Sequence, residues 1–207
     1  MCRLKTNIAV LAKAPVPGLA KTRLIPTIGA HAAAVLQERL TEQAVETAIV
    51  AGIGPATLWC APDTTHASFR SLAARFPIKL ARQPDGDLGA RMLAALETAG
   101  DPTLVIGTDC PVRSAAHLRA AAETLRAGAD VVLIPAEDGG YVLIGTRAPQ
   151  PELFRDVRWG TPTALSETRK HIATLSLRAV ELGPLWDVDT ESDLARLESE
   201  LPALALL

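Results

Sequence analysis

Lys13, Lys21 and Arg23 lie in one short segment, Lys13-Ala14-Pro15-Val16-Pro17-Gly18-Leu19-Ala20-Lys21-Thr22-Arg23-Leu24, directly after the apolar run Ile8 to Ala12. A first strand that delivers three cations to the carboxyl edge of an open α/β sheet brings them to where ligands bind, and cations there suit phosphates. Gly18 lets the backbone approach a ligand closely. The segment lacks the Gly-x4-Gly-Lys-Ser/Thr spacing of a Walker A loop and the Gly-x-Gly-x-x-Gly of a dinucleotide site. The plainer alternative is a solvated turn carrying scattered basic residues.

The acidic residues supply the other half of such a site. Thr103 to Gly107 runs into Thr108-Asp109-Cys110-Pro111, which places Asp109 at the carboxyl end of a central strand that Pro111 ends. Asp109 is therefore the leading metal ligand, unless it caps the next helix, a position for which Ser114 competes. In Trp186-Asp187-Val188-Asp189-Thr190 the carboxylates at i and i+2 project to one side of an extended segment. Two such carboxylates repel unless a cation joins them, and an all-oxygen set of Asp109, Asp187 and Asp189 suits Mg²⁺ or Mn²⁺. Their alternative is a cap made by Asp189 or Thr190 with Asp187 in solvent.

Two glycine-bearing loops are further candidates. Asp138-Gly139-Gly140-Tyr141 combines a flexible backbone with a carboxylate able to accept hydroxyl hydrogen bonds, although a hairpin turn explains the same residues. Gln83-Pro84-Asp85-Gly86-Asp87-Leu88-Gly89-Ala90-Arg91-Met92 opens a helix, and its first amides near Gly89 together with Arg91 suit an anion or a nucleobase. Here a turn followed by a cap is an equal alternative. His31, His66, His117 and His171 all lie in helical or helix-starting stretches, and no Gly-x-Ser-x-Gly elbow occurs. Nucleophilic hydrolysis is thus disfavoured, Cys110 having no local base.

With 207 residues, 48% of them hydrophobic, the chain is expected to form one domain, 1–207, around one core. A net charge of −2 argues against non-specific nucleic-acid binding, and the few aromatics argue against base-stacking platforms. Cys2, Cys60 and Cys110 fit neither a disulfide framework nor a zinc site, so a reducing cytoplasm is the expected location. The N-terminal apolar run is far shorter than the ~20 residues that span a bilayer.

The elements that must position these groups are legible as alternating patterns. Ile8 to Ala12, Ala56 to Ala61, Ile78 to Ala81, Thr103 to Gly107 and Val131 to Pro135 read as strands. Leu36, Leu40, Ala44 and Ala48, and Leu118, Ala121, Ala122 and Leu125, recur at helical spacing and mark core faces. Such alternation is that of an α/β sandwich. Only five residues separate Val131 to Pro135 from Tyr141 to Gly145, too few for a crossover helix, so an antiparallel strand is expected there. Thr161-Pro162 and Thr190-Glu191-Ser192-Asp193 read as helix starts, and Leu153 to Leu182, with Trp159, is either an acceptor lid or a helix packed on the sheet.

Taken together, Lys13 to Leu24, Gln83 to Met92, Gly107 to Pro111, Asp138 to Tyr141 and Trp186 to Thr190 resemble a bacterial family labelled A-type glycosyltransferase, or nucleotide-diphospho-sugar transferase, over nearly the whole chain. The resemblance implies a Rossmann-like GT-A fold, a mainly parallel sheet with an antiparallel element that binds a nucleotide through a divalent ion. It implies glycosyl transfer from a nucleotide sugar to a small acceptor. Lys13, Gly18, Lys21, Thr22, Arg23, Gly89 and Arg91 would hold the nucleotide and its phosphates, with Asp109, Asp187 and Asp189 on the metal. Lys21, Arg23 and Asp109 would act in the reaction, and Asp138, Gly139, Gly140 and Tyr141 would line the sugar or acceptor pocket. The basic loop and late aspartates also look like those of molybdenum-cofactor and phospholactate nucleotidyltransferases, which implies pyrophosphate release from an NTP as the alternative reaction. The loop differs from the Leu-x-x-Gly-x-Gly-x-Arg form of the molybdenum-cofactor enzymes. A nucleotide-binding module without catalysis is the third possibility.

Overall fold

A computed structural model describes residues 5–100 and 102–205; Cys2 lies outside them. Every strand expected from the alternating patterns is present: β1 (Asn7–Lys13), β2 (Ala56–Ala61), β3 (Ile78–Arg82), β4 (Thr103–Ile106), β5 (Val131–Pro135) and β6 (Tyr141–Thr146). A short β7 (Ala179–Glu181), which the pattern did not reveal, completes one seven-stranded sheet in the order β3-β2-β1-β4-β6-β5-β7. β6 runs antiparallel to both β4 and β5, as the short connection after Pro135 required, and the other pairings are parallel.

Strand alternation sorts the core into two layers. Ile8, Val10 and Ala12 of β1 face α1 (Ile25–Ala51), α2 (Ala67–Arg75) and α4 (Ala115–Arg126). Ala9 and Leu11 face α3 (Leu88–Ala99), α5 (Ala164–Thr174) and the turn Pro151–Phe154. Leu36 and Leu40 of α1 also cover Trp186, Val188 and α6 (Glu191–Glu200), beside the short α7 (Pro202–Ala205). The result is a three-layer α/β/α sandwich, and the leucine and alanine stripes read from spacing lie buried in it.

Local chemistry fixes the helix starts. Asp87 Oδ1 accepts from Ala90 N at 2.8 Å, and Thr190 and Asp193 exchange hydrogen bonds as a capping box at α6. Ser114 takes the cap position of α4, which leaves Asp109 free of that duty. The expected helix start at Thr161-Pro162 is corrected by two residues. Thr161 Oγ1 bonds Arg158 O, the chain turns once more, and Thr163 becomes the residue before α5. Among the described residues, no helix is long and apolar enough to cross a membrane.

Gly145 in β6 sits where neighbouring side chains of β4, β5 and α4 leave no room for a side chain. A Cβ there would stand 2.4 Å from Leu104 Cδ2 and 2.7 Å from Val132 Cγ1. Gly145→Val should therefore destabilise the fold by about 1–3 kcal/mol through overpacking, read as a lower urea midpoint.

Candidate active site

β1, β4 and β6 meet at the edge of the sheet beneath a cleft of about 870 Å³. Lys13, Lys21, Thr22, Arg23, Arg91, Asp109, Asp138, Gly140, Tyr141, Asp187 and Asp189 all line it. Segments far apart in the chain thus converge on one cleft. Gly18, Gly89 and Gly139 are not on its wall, and each has another task. Gly18 turns the basic loop with a φ of 85°. A Cβ on Gly89 would reach within 2.7 Å of Trp159 Nε1, so Gly89 admits the indole against α3 rather than touching a ligand. Gly139, at φ 93°, presses on Pro162 O, where a Cβ would stand at 2.3 Å, and its own carbonyl accepts from Leu165 N.

The C-terminal aspartates reach the centre through backbone pairing. Leu185 N donates to Pro135 O, Glu137 N donates to Leu185 O, and Val188 N donates to Asp109 O at 2.9 Å. Trp186 and Val188 are buried, so Asp187 and Asp189, which alternate with them, turn to the cleft.

Lys21 stands in the middle of this acidic group. Its side chain is 5% exposed, and Nζ lies 2.6 Å from Asp109 Oδ1, 3.3 Å from Asp189 Oδ1 and 2.5 Å from Val188 O. Burial opposes its charge, but Asp109 and then Asp189 outweigh that, and its pKa is raised. Arg23 Nη1 reaches Asp189 Oδ2 at 3.2 Å while its side chain stays 67% exposed. Burial, and then Asp138, Asp189 and Asp109, push Asp187 up to about 7, with Lys21 opposing.

The carboxylates are chemically suited to a hard divalent cation. The donor set is all oxygen, and the Asp109 Oδ1 contact with Lys21 is a charge contact whose geometry leaves this buried oxygen without a hydrogen bond. Among the described residues, however, no group of three or more His, Cys, Asp or Glu side chains is gathered to hold a metal. Asp109 and Asp189 are gathered around an ammonium.

Sequence reasoning assigned no role to three residues of the cleft, although Gln83 opens the candidate loop Gln83 to Met92. Gln83 Nε2 donates to Ala12 O at 3.0 Å and Trp59 O at 2.8 Å, so it ties together the ends of β1 and β2 and leaves Oε1 toward Arg91. Arg113 is 3% exposed, donates to Gly107 O at 2.8 Å and Val142 O at 3.4 Å, and thereby joins the Asp109 loop to β6. No pattern in the sequence marks it; an arginine before a helix cap is ordinarily solvated. Gln37 Nε2 likewise supports Thr108 Oγ1 at 3.0 Å from inside α1, where it neighbours Leu36 of the leucine stripe. Trp159 packs on Tyr141 and Phe154, with centroids 6.2 and 6.3 Å apart, while α5 packs on the sheet. Asp138 Oδ1 accepts from Gly140 N at 2.8 Å, so the Asp-Gly turn and the candidate site are the same structure. Burial raises the Cys110 thiol, which keeps it protonated and unsuited to attack.

Because Asp187 binds its proton more tightly in the folded chain than the ordinary carboxylate value near 4 allows, the stability it contributes is full below about pH 4. That stability is lost as pH rises through about 7. Asp187→Asn should raise the melting temperature of the ligand-free protein more at pH 8 than at pH 5, as scanning calorimetry at the two pH values would show.

The architecture has clear relatives. A protein provisionally described as a nucleotide-diphospho-sugar transferase from Desulfovibrio desulfuricans G20 is 26% identical, with a TM-score of 0.82 over 97% of this chain and 96% of that one. A nucleotidyl transferase from Methanothermobacter is 18% identical, with a TM-score of 0.64 over 96% and 98% of the two chains. Rv0371c from Mycobacterium tuberculosis H37Rv, in complex with manganese, is 17% identical, with a TM-score of 0.50 over 95% and 100%. The last two show the fold alone. No curated protein matches the sequence. The fold is that of nucleotide-diphospho-sugar transferases and nucleotidyltransferases, and the match over residues 43–161 shows that the chain belongs to the bacterial family DUF2064, described as an uncharacterized protein conserved in bacteria.

Proposed function

We propose that this protein is a metal-dependent transferase that takes a glycosyl group from a nucleotide sugar and passes it to a small acceptor. The observation that carries the reading is the meeting of Lys13, Lys21 and Arg23 with Asp109, Asp187 and Asp189 on one cleft large enough for a nucleotide and a second substrate. The likeness to the Desulfovibrio protein supports the donor class.

In this reading the diphosphate lies along the basic loop, where Lys13 and Arg23 present exposed cations. As the bond from the anomeric carbon to the diphosphate oxygen breaks and the acceptor oxygen bonds that carbon, negative charge grows on the leaving nucleoside diphosphate, and these cations stabilise it. Asp109 and Asp189, with Asp187, would hold Mg²⁺ or Mn²⁺, which would supply Lewis-acid stabilisation of the same charge. Arg91, steadied by Gln83, belongs to the nucleotide half, and Asp138 and Tyr141 to the sugar or acceptor half. Asp138 Oδ1 is committed to the Gly140 amide, so its second carboxylate oxygen is the one offered to a hydroxyl.

The second reading is nucleotidyl transfer, in which an acceptor oxyanion attacks the α-phosphorus of an NTP and pyrophosphate leaves. Three cations on one loop favour it, since a triphosphate brings more charge than a diphosphate. Thermal shifts with NDP-sugars and with NTPs, each with and without Mn²⁺, separate the two. A ligand at ~100 times its dissociation constant adds about 2.7 kcal/mol of stability. A Mn²⁺-dependent shift with NDP-sugars, lost in Asp109→Asn, is the expected result. A shift confined to NTPs would promote the second reading, and no shift with any nucleotide would overturn both.

A further inference from the structure

The Lys21 ammonium is already engaged by protein oxygens, with hydrogen bonds to Val188 O and Asp189 Oδ1 and a charge contact with Asp109 Oδ1. It carries three protons, and three oxygens surround it: Asp109 Oδ1, Asp189 Oδ1 and Val188 O. Its backbone is left-handed, with φ 45° and ψ 46°, a strained conformation for a residue with a Cβ that persists where the surroundings hold it. The following turn, Thr22–Leu24, then directs Arg23 outward while Lys21 turns inward. Two neighbouring cations of one loop therefore have opposite duties. Arg23 and Lys13 face solvent at the cleft, and Lys21 is held within the carboxylates.

We infer that Lys21 is the resident cation of the carboxylate site, and that a divalent ion and a diphosphate enter this site together, by exchange with it. The inference rests on the nucleotide-transferase reading for the identity of the diphosphate. The physical argument concerns charge. Asp109 and Asp189 bring two negative charges, and two cations already face them: Lys21 beside both, and the exposed Arg23 at 3.2 Å from Asp189. A doubly charged ion arriving beside the buried ammonium meets repulsion at a site whose charge is already compensated, so it binds weakly on its own. A diphosphate offers the ammonium new oxygens on the same loop and leaves the carboxylates to the metal. Each ligand then lowers the cost of the other, and linkage makes that coupling reciprocal. The exchange also keeps the carboxylates neutralised before substrate arrives, when two unpaired, half-buried aspartates would otherwise repel. A lysine serving only as a permanent pin between the segments predicts no such coupling.

The test uses the full chain and Mn²⁺ alone, with free Mn²⁺ counted by its electron paramagnetic resonance signal. Lys21→Met and Lys21→Gln should bind Mn²⁺ at least tenfold more tightly than wild type, since they remove the competing charge. Equal or weaker binding in folded variants would overturn the inference. A second measurement needs no variant: the thermal shift of wild type with Mn²⁺ plus inorganic pyrophosphate should exceed the sum of the shifts with each alone. Additive shifts would overturn the coupling. Tighter Mn²⁺ binding in the variants, joined to no response of wild type to any nucleotide, would uphold the exchange while removing the transferase reading.

Discussion

One buried ammonium organises the centre of this molecule. Lys21 Nζ touches oxygens from the segment after β4 and from the segment before α6, and it comes itself from the loop after β1. Without that cation, Asp109 and Asp189 would face each other and Asp187 in a half-buried space, where like charges are costly. With it, three chain-distant loops become one surface. The Val188 N to Asp109 O bond repeats the link through the backbone, so charge pairing and chain pairing fix the same geometry.

The rest of the fold serves this meeting. β1 and β4 are adjacent and parallel, so both deliver their following loops to one edge. The reversal at β6 brings the Asp138 to Tyr141 turn to that edge from the opposite direction. Buried polar groups then hold the loops in place: Gln83 between β1 and β2, Gln37 beneath Thr108, and Arg113 between Gly107 and Val142. Each does so through hydrogen bonds to backbone carbonyls or a hydroxyl near the cleft.

Glycines show how packing and function divide. Gly139 belongs to the turn that carries Asp138, yet its conformation and its closeness to Pro162 O are what exclude a side chain. Gly89 opens α3 near the cleft but serves the seat of Trp159. A glycine beside a candidate site is thus no proof of ligand approach, because a neighbouring indole or carbonyl makes the same demand.

The sequence by itself determined the sheet strands from β1 to β6, the antiparallel β6, the core stripes and the helix start at Thr190. Those features follow from local periodicity, connection length and cap chemistry, whereas the joining of the basic loop with the late aspartates was expected from the family resemblance. Only the tertiary structure decided which cation faces which partner. Lys21 and Arg23 are two residues apart and similar in charge, yet one is buried among carboxylates and the other faces solvent. The start of α5, the short β7 and the roles of Arg113 and Gln37 were equally hidden, since each depends on contacts with residues distant in the chain. Periodicity records which face of an element is apolar; it carries no record of the partner that a long polar side chain will reach.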